Sequence, residues 1–574
     1  MQLGGKAYKK EIWRDRRIVY ALLAIIVAYD IVHSIAYTLG PTMLSEDFAY
    51  VLLAIGALHG NISFSSFYID GTRILQYLPI ALLYKLFGVN IYTSSAWNEM
   101  MFVGTVLIAF FVGKRVYSAH AGLVSALLIS FFIPAVKNSV TVGINETMMF
   151  FVSLTLLVLL YAKDRKSKWL MFATGVLALV TPLTIPIGII AIIAVFIYVI
   201  AEFLRHELSG ALIAWLFLGI VVASMPILAF SYISTGNALI IIHQNAAYYS
   251  NLSMTYTTFG ILGSPPSVYA NSSGNNVQSY LLFYPQQMFA SGIVSSLRNA
   301  IITRNFNLAA FWRQIYKVNN NNSGFYFYAV FISALMLLML EEKRAYFPLF
   351  WLAVGLGFLE FAPMGITLSP FRYILIFRAF RYTTSVAVPV AVIISIAVMK
   401  IAGIEGHVSI ISYNKWRMKN ARPLHLPRVV FAAAIVVFLI ATSVPINNSW
   451  YSYVYAQTYP LHAFANYMNK LSNSTALYVP GGDYPYLYTY MYRDNVNRII
   501  IYNSIYNCSQ IPYGAYVIIP NATSGFAPQL PYVNNTGMAC PNWKLVLDVN
   551  ASPYIVSRSG WPKGRYEQRL YYVS

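Results

Sequence analysis

The sequence predicts a polytopic α-helical membrane protein of about eleven transmembrane helices with a small C-terminal external α/β domain. Three observations lead there. Of the 574 residues, 58% are hydrophobic and 10% are charged, with a mean hydropathy of +0.58, whereas an ordinary soluble chain is roughly a quarter charged. Apolar runs of about 18 or more residues, each long enough to cross a hydrocarbon core of ~30 Å, recur through the first 446 positions. The basic residues concentrate in short loops between those runs: "KAYKKEIWRDRR", "GKR", "AKDRKSK", "EEKR" and "KWRMKNARPLHLPR". That is the distribution the positive-inside rule describes. The formal net charge of +20 therefore reads as orientation and contact with anionic membrane lipids, and no nucleic-acid partner is expected.

Taken in order, the spans are expected at 18–38, 97–116, 118–135, 146–162, 169–182, 185–204, 211–233, 325–341, 346–364, 383–403 and 429–446. A basic N-terminus puts the start of the chain on the cytoplasmic side of the cell membrane. An odd number of spans then leaves residues 447–574 outside. Two other external regions are large, 39–96 and 234–324. The first holds "FAYVLLAIGAL", which as a helix reaches only about 16 Å, and "ILQYLPIALLYKLFGVNIY", which carries Gln76, Pro79 and Lys85. Both suit helices lying in the membrane interface. The chain thus divides into a membrane domain, 1–446, and an external domain, 447–574. In the latter, helical segments ("LHAFANYMNKL", "YPYLYTYMY") alternate with short β-branched ones ("TALYVPG", "RIIIYNSI", "AYVIIP", "WKLVLDV", "YIVSRS").

Eleven N-x-[ST] patterns, from Asn61 through Asn145 and Asn447 to Asn550, all fall on segments placed outside. The cysteines, Cys508 and Cys540, lie in the external domain, where an oxidising face favours a disulfide over two free thiols. The first apolar run is too long for a cleavable signal peptide, and no solenoid-type repeat is read. External sequons, few cysteines and abundant Tyr and Ile suit a glycosylated archaeal envelope.

Chemistry is expected where charge meets the outer membrane face. Glu46 and Asp47 follow the first span and either cap the next helix or supply a general base at the surface. Glu146 opens the fourth span, Lys137 ends the third, and Arg73 precedes the second interfacial stretch. The segment "SPFRYILIFRAFRYTT" puts Arg372, Arg378 and Arg381 before the tenth span. Arginine there either snorkels or holds a phosphate through paired hydrogen bonds. The eight histidines show no ligand spacing, so no metal site is assigned and dependence on a divalent metal stays open.

The order "SEDFAYVLLA", "GTRILQYLPIALLYKLFGVN", "VGINETMMFFVSLTLLVLLYA", "LALVTPLTIPIGI", "FRAFRYTTSVAVPV" resembles the GT-C glycosyltransferases. The likeness is to the branch of the protein O-mannosyltransferases and the lipid A aminoarabinose transferase, over about 20–200 and 370–400. In that branch an acidic pair in the first external loop is followed by a Tyr and a Pro-containing interfacial helix ending in "lFG". A further acid opens the fourth span, and a late Arg-Tyr precedes a bundle helix. By position Glu46 stands where the branch has Asp, four residues before Tyr50, and Asp47 where it has Glu. The acid order is inverted, so both are candidates, with Glu46 favoured by register. Glu146 matches the later acid, and Arg381 with Tyr382 matches the late motif. A lysine often precedes the interfacial proline; here the neighbours are Gln76 and Tyr77, and Arg73 takes the lysine's place. The W-W-D tripeptide of oligosaccharyltransferases is absent, which disfavours en bloc glycan transfer.

The resemblance implies an inverting membrane glycosyltransferase. It would move a monosaccharide from a polyprenyl-phosphate donor of the dolichyl-phosphate type to a protein or lipid-linked glycan acceptor outside the cell. Glu46 or Asp47 would act as base, while Arg73, Tyr77, Lys137, Glu146, Arg372, Arg378, Arg381 and Tyr382 would bind substrate. The rival reading is a transporter or flippase for a lipid-linked saccharide or another solute, which would be expected to show repeated halves and interrupted helices.

Overall fold

The computed structural model describes residues 3–41, 46–62, 70–247, 325–368, 371–375, 380–404, 426–471, 475–480, 499–502, 511–520, 542–549 and 568–574. A long helix, α1 (Leu3–Ala36), is followed by two short apolar ones, α2 (Asp47–Leu58) and α3 (Ile74–Phe87), packed on each other. At 1.5 Å per residue these reach about 18 and 21 Å, too little for a ~30 Å core. Next comes α4 (Ile91–Val116). Asn90 caps it by accepting from the Thr93 amide at 2.9 Å, while the Thr93 hydroxyl accepts from the Asn90 amide at 3.1 Å. Lys114 and Arg115 close it at the negative end of the helix dipole.

The expected span 118–135 is two helices, α5 (Ala119–Ser130) and α6 (Ile133–Ser139), bent by 62°. Pro134 fits the first turn of α6, where its missing N–H is no loss, but it could not continue α5. Then follow α7 (Asn145–Arg165), α8 (Lys168–Val180), two 3-10 turns at Pro182 and Pro186, α9 (Ile189–Leu204) and α10 (Gly210–Thr235). Beyond them are α11 (Tyr326–Met339), α12 (Tyr346–Phe361), a hairpin of β1 (Pro363–Leu368) and β2 (Phe371–Leu375), a 3-10 turn (Phe380–Val386), α13 (Ala387–Ile401) and α14 (Leu426–Met468). The hairpin was not anticipated.

Each expected span therefore has a helix. Among the described residues eight are long and apolar enough to cross a membrane, and the bent pair makes a ninth. The remaining two, Lys168–Leu183 and Tyr326–Met339, are shorter apolar helices. The bundle is centred on α13, every residue of which from Ala387 to Met399 is buried. At the ends of α4, α7 and α13 the basic loops are tied by acids. Arg115 meets Asp164 and Lys163 meets Glu202, both at 2.5 Å, and Lys400 pairs with Glu342.

Two glycines bring α8 and α10 into backbone contact. A Cβ at Gly175 would stand 2.1 Å from the Leu216 carbonyl oxygen, and one at Gly219 2.1 Å from that of Phe172. Small residues permit such approach between membrane helices. Gly219→Val is expected to push the pair apart and destabilise by about 3 kcal/mol, the upper end for overpacking. Thermal unfolding of detergent-solubilised protein checks it, with Ala at the neighbouring exposed Leu218 as control.

Two sequons do not behave as surface acceptors. Asn145 opens α7 and Asn447 lies within α14, and both are buried. The pattern is short enough to arise where Asn serves packing. Asn61, after α2, is exposed. The other eight patterns, like Cys508 and Cys540, lie outside the described residues.

Beyond the bundle a five-stranded sheet has the order β4-β3-β5-β7-β6. Its strands are β3 (Leu477–Pro480), β4 (Ile499–Tyr502), β5 (Tyr516–Pro520), β6 (Trp543–Val549) and β7 (Gln568–Val573). β3 runs parallel to β4 and β5, whereas β7 is antiparallel to β5 and β6. The sequence reading missed β7. Its helix "YPYLYTYMY" and strand "YIVSRS" lie outside the described residues. The last span and the helix "LHAFANYMNKL" are one continuous helix, so the expected boundary at 446/447 falls inside α14. Leu461, Phe464, Ala465 and Met468, at helical spacing on α14, pack against Leu477, Val479, Ile518 and Leu570 of the sheet.

Candidate active site

Glu46 is the residue from which α2 starts, yet its side chain makes no capping hydrogen bond. It turns instead to two arginines from distant parts of the chain. Arg73 Nη1 donates to Glu46 Oε2 at 2.6 Å, and Arg381 Nη2 donates to Oε1 at 3.2 Å. Arg73 ends a 3-10 turn, Asp70–Thr72, and leads into α3, while Arg381 lies in the 3-10 turn that enters α13. One carboxylate thus joins the first loop to the central helix.

Three further contacts complete the group. Arg73 Nη1 also meets Asp70 Oδ1 at 2.8 Å and donates to the Tyr50 hydroxyl. That hydroxyl stands 3.3 Å from Glu46 Oε2 and 3.4 Å from Asp70 Oδ1. The side chains of Arg73 and Asp70 are only 6% and 12% exposed, whereas those of Glu46 and Arg381 are 35% and 38% exposed. The site is buried on the Asp70 side and open on the Glu46 side. Arg73 Nε and Arg381 Nε are buried atoms with no acceptor among the described residues.

The two carboxyl groups are driven apart. Burial pushes Asp70 up to about 6, with the Glu46 charge adding to it and Arg73 opposing. Burial also works upward on Glu46, but Arg73 and Arg381 outweigh it and hold that carboxyl below its ordinary range. Folded protein keeps a proton on Asp70 up to about 6, where an unfolded chain releases it near ~3.9. This group's contribution to stability is therefore fullest at low pH and is lost as pH climbs through that window. Asp70→Asn is accordingly expected to unfold at no lower a temperature than the parent at pH 7 to 8 and to flatten that pH dependence. Scanning fluorimetry across pH checks both.

Asp47, in the first turn of α2, is buried and faces the other way. A Cβ at Gly143 would lie 3.5 Å from its Oδ1. The loop holding Gly143 is pinned by Asn98, whose amide donates to the carbonyls of Asn138, Thr141 and Gly143, and by Gln76, which donates to Val142 O at 2.8 Å. Gln76 Oε1 accepts from Thr147 at 2.6 Å. The residue beside the interfacial proline is thus fully used in holding the entry to α7. Glu146, in that first turn, is wholly buried, and neither carboxylate oxygen has a hydrogen-bond partner among the described residues.

Of the other expected residues, Tyr77 is buried and donates to Gly71 O at 3.2 Å, bracing the turn that carries Asp70. Tyr382 lies under the Arg381 guanidinium, 5.5 Å from its ring centroid. Lys137 is aimed at Trp450, with Nζ 5.8 Å from that ring's centroid. Arg372 is on β2, and Arg378 lies outside the described residues. Asp70 was missed. Its signal was the i,i+3 pairing with Arg73 in "DGTR", which reads equally as a turn. Among the described residues no cluster of three or more His, Cys, Asp or Glu side chains could hold a metal ion.

Residues 74–232 match the family description "Dolichyl-phosphate-mannose-protein mannosyltransferase". Within this segment the resemblance to GT-C glycosyltransferases read from the sequence holds. No curated protein sequence matches. Among solved structures the chain is similar to ArnT from Cupriavidus metallidurans bound to undecaprenyl phosphate, with a TM-score of 0.49 and 10% identity over 96% of this chain and 97% of that one. It is also similar to the Archaeoglobus fulgidus oligosaccharyltransferase in the apo form, with a TM-score of 0.48 and 12% identity over 85% of this chain and 65% of that one. The oligosaccharyltransferase AglB of the same organism, in complex with an inhibitory peptide and a dolichol-phosphate, gives a TM-score of 0.46 and 13% identity over 86% and 65%.

Proposed function

We propose that this chain is a membrane glycosyltransferase that moves a monosaccharide from a polyprenyl-phosphate donor to an acceptor hydroxyl, with inversion and with Glu46 as general base. One observation carries the reading. A solvent-accessible carboxylate is flanked by two arginines that each keep a buried Nε–H donor without an acceptor among the described residues. A phosphate would satisfy both donors, and arginine is the side chain shaped for it. The family match over 74–232 supports a donor of the dolichyl-phosphate type.

The arrangement also supports a timing. A carboxylate held by two guanidinium groups is a weak base. An arriving phosphate competes for Arg73 and Arg381, loosens their hold on Glu46 and makes it more basic as the acceptor hydroxyl approaches. The hydroxyl oxygen attacks the anomeric carbon, the bond from that carbon to the phosphate oxygen breaks, and polyprenyl phosphate leaves with the electron pair. Arg73 and Arg381 stabilise the charge that develops on it. Arg372 and Arg378 extend the basic segment around Arg381, Tyr77 and Tyr382 brace the two arginine-bearing turns, and Glu146 and Lys137 flank the acceptor side. The acceptor is a protein or a lipid-linked glycan. The site faces the outside of the cell membrane, with the N-terminus cytoplasmic and the sheet domain external.

The test is release of polyprenyl phosphate from a labelled polyprenyl-phospho-sugar by purified protein, lowered at least about a hundredfold by Glu46→Gln or Arg381→Ala. The rival, a transporter or flippase, draws on the interrupted helices α5/α6 and α8/α9. Uptake into vesicles without covalent transfer would favour it.

A further inference from the structure

General-base catalysis leaves a proton to be cleared before the next turnover. Glu46 is poorly placed to shed it to bulk water, because its exposed side, 35% of the side-chain surface, is the side the donor and the departing phosphate cover. The structure offers an exit on the buried side. The Tyr50 hydroxyl, fully buried on α2, lies 3.3 Å from Glu46 Oε2 and 3.4 Å from Asp70 Oδ1. It accepts a hydrogen bond from Arg73 Nη1, which orients its own single proton toward the carboxylates. That proton serves only one of them at a time. Among the described residues, the charged and titratable groups facing Asp70 are Arg73, Glu46, Tyr50 and Arg381.

We propose that Tyr50 and Asp70 form a proton relay that empties Glu46 after each transfer. The proposal rests on the glycosyltransferase reading. The acceptor O–H bond breaks and its proton joins Glu46 Oε2. That proton then passes to the Tyr50 oxygen as Tyr50's own proton moves to Asp70 Oδ1, so the phenol stays neutral throughout. Asp70, whose side chain keeps 12% of its surface open, finally yields the proton to water. In the resting site Asp70 is pushed up to about 6 while Glu46 is held low, and drawing Arg73 to the phosphate also removes the group that opposes the rise of Asp70. Pairs of carboxyl groups whose environments separate their proton affinities are how one site divides two proton tasks. Tyr50 and Asp70 touch no reacting atom and act through Glu46.

The experiment uses the full chain in lipid nanodiscs with labelled polyprenyl-phosphomannose and polyprenyl-phosphoglucose, water serving as acceptor. A donor phosphodiester keeps one charge from pH 5 to 8, so a rate change there reports the protein. Turnover by the parent is expected to rise as pH climbs through about 6, where Asp70 becomes free to accept. Asp70→Asn and Tyr50→Phe should each run about tenfold slower at pH 7 and lose that rise, with KM for donor unchanged. Asp70→Glu should recover it. Retention of the parental rise in both Asp70→Asn and Tyr50→Phe overturns the relay and leaves the glycosyltransferase reading standing. A raised KM with the rise kept points to Asp70 merely holding Arg73 and also overturns it. No release from either donor by the unsubstituted protein overturns the functional reading, and the relay with it.

Discussion

Glu46→Gln is expected to lower turnover by about 10²–10⁴-fold, the usual worth of a positioned general base, while the protein still folds and still binds donor. Glutamine keeps the shape but cannot take a proton from the acceptor. Glutamine is neutral, so both ion pairs, to Arg73 and to Arg381, are lost, and its amide nitrogen cannot accept from either guanidinium. Because the Glu46 side chain is 35% exposed, solvent screens those pairs and the stability cost is about 1 kcal/mol or less for each. Asp47→Asn is the informative partner. That carboxylate is buried and turned toward the loop at Gly143, so its loss is expected to lower the unfolding temperature and leave most of the turnover. Steady-state release assays beside thermal unfolding on both variants separate the two acids.

The second large effect is on Arg73. Its Nη1 serves Glu46, Asp70 and Tyr50 together from a side chain only 6% exposed. Arg73→Met leaves the Asp70 carboxylate buried without its counter-charge. Removing one member of a buried pair costs about 3–5 kcal/mol, and the lower end applies here because Glu46 retains Arg381 and some solvent. Turnover is expected to vanish as well, since a donor of the departing phosphate is gone. The double variant Arg73→Met with Asp70→Asn distinguishes these losses. It is expected to regain most of the stability and none of the turnover, because Asn needs no counter-charge and supplies no cation. Arg73→Lys should fold, since one ammonium can meet the partners that Nη1 serves, but it lacks the separate Nε–H that would hold the phosphate.

The site's legibility in the sequence follows what each signal depended on. Glu46, Arg73 and Arg381 drew attention because charge beside an apolar run is costly and therefore conspicuous, and the register to Tyr50 in the resembled branch favoured Glu46 while keeping Asp47 as a candidate. Asp70 was not, because Asp-Gly-Thr is ordinary turn chemistry and only the tertiary approach of α2 shows which carboxylates share Arg73. Gln76 looked like a departure from the expected lysine. Its buried amide instead ties α3 to the entry of α7, a role no periodicity reveals. A helix at each of the eleven expected spans was legible from hydropathy, though two of them are too short to count as crossing, while the break between α5 and α6 turned on Pro134 inside an apolar run whose average hid it. Asn145 and Asn447 were read from a three-residue pattern that carries no information on burial. The hairpin at β1 and β2 was hidden in a stretch read for its arginines and not for strand alternation, and β7 in a tyrosine-rich terminus without clear alternation.

The most direct measurement is a cryo-electron microscopy structure of the full chain with polyprenyl phosphate bound. Phosphate oxygens are expected at about 2.7–2.9 Å from Arg73 Nε and Arg381 Nε, with at least one of the arginines drawn away from Glu46. A phosphate bound elsewhere, with Glu46 still bridging Arg73 and Arg381, would contradict the account.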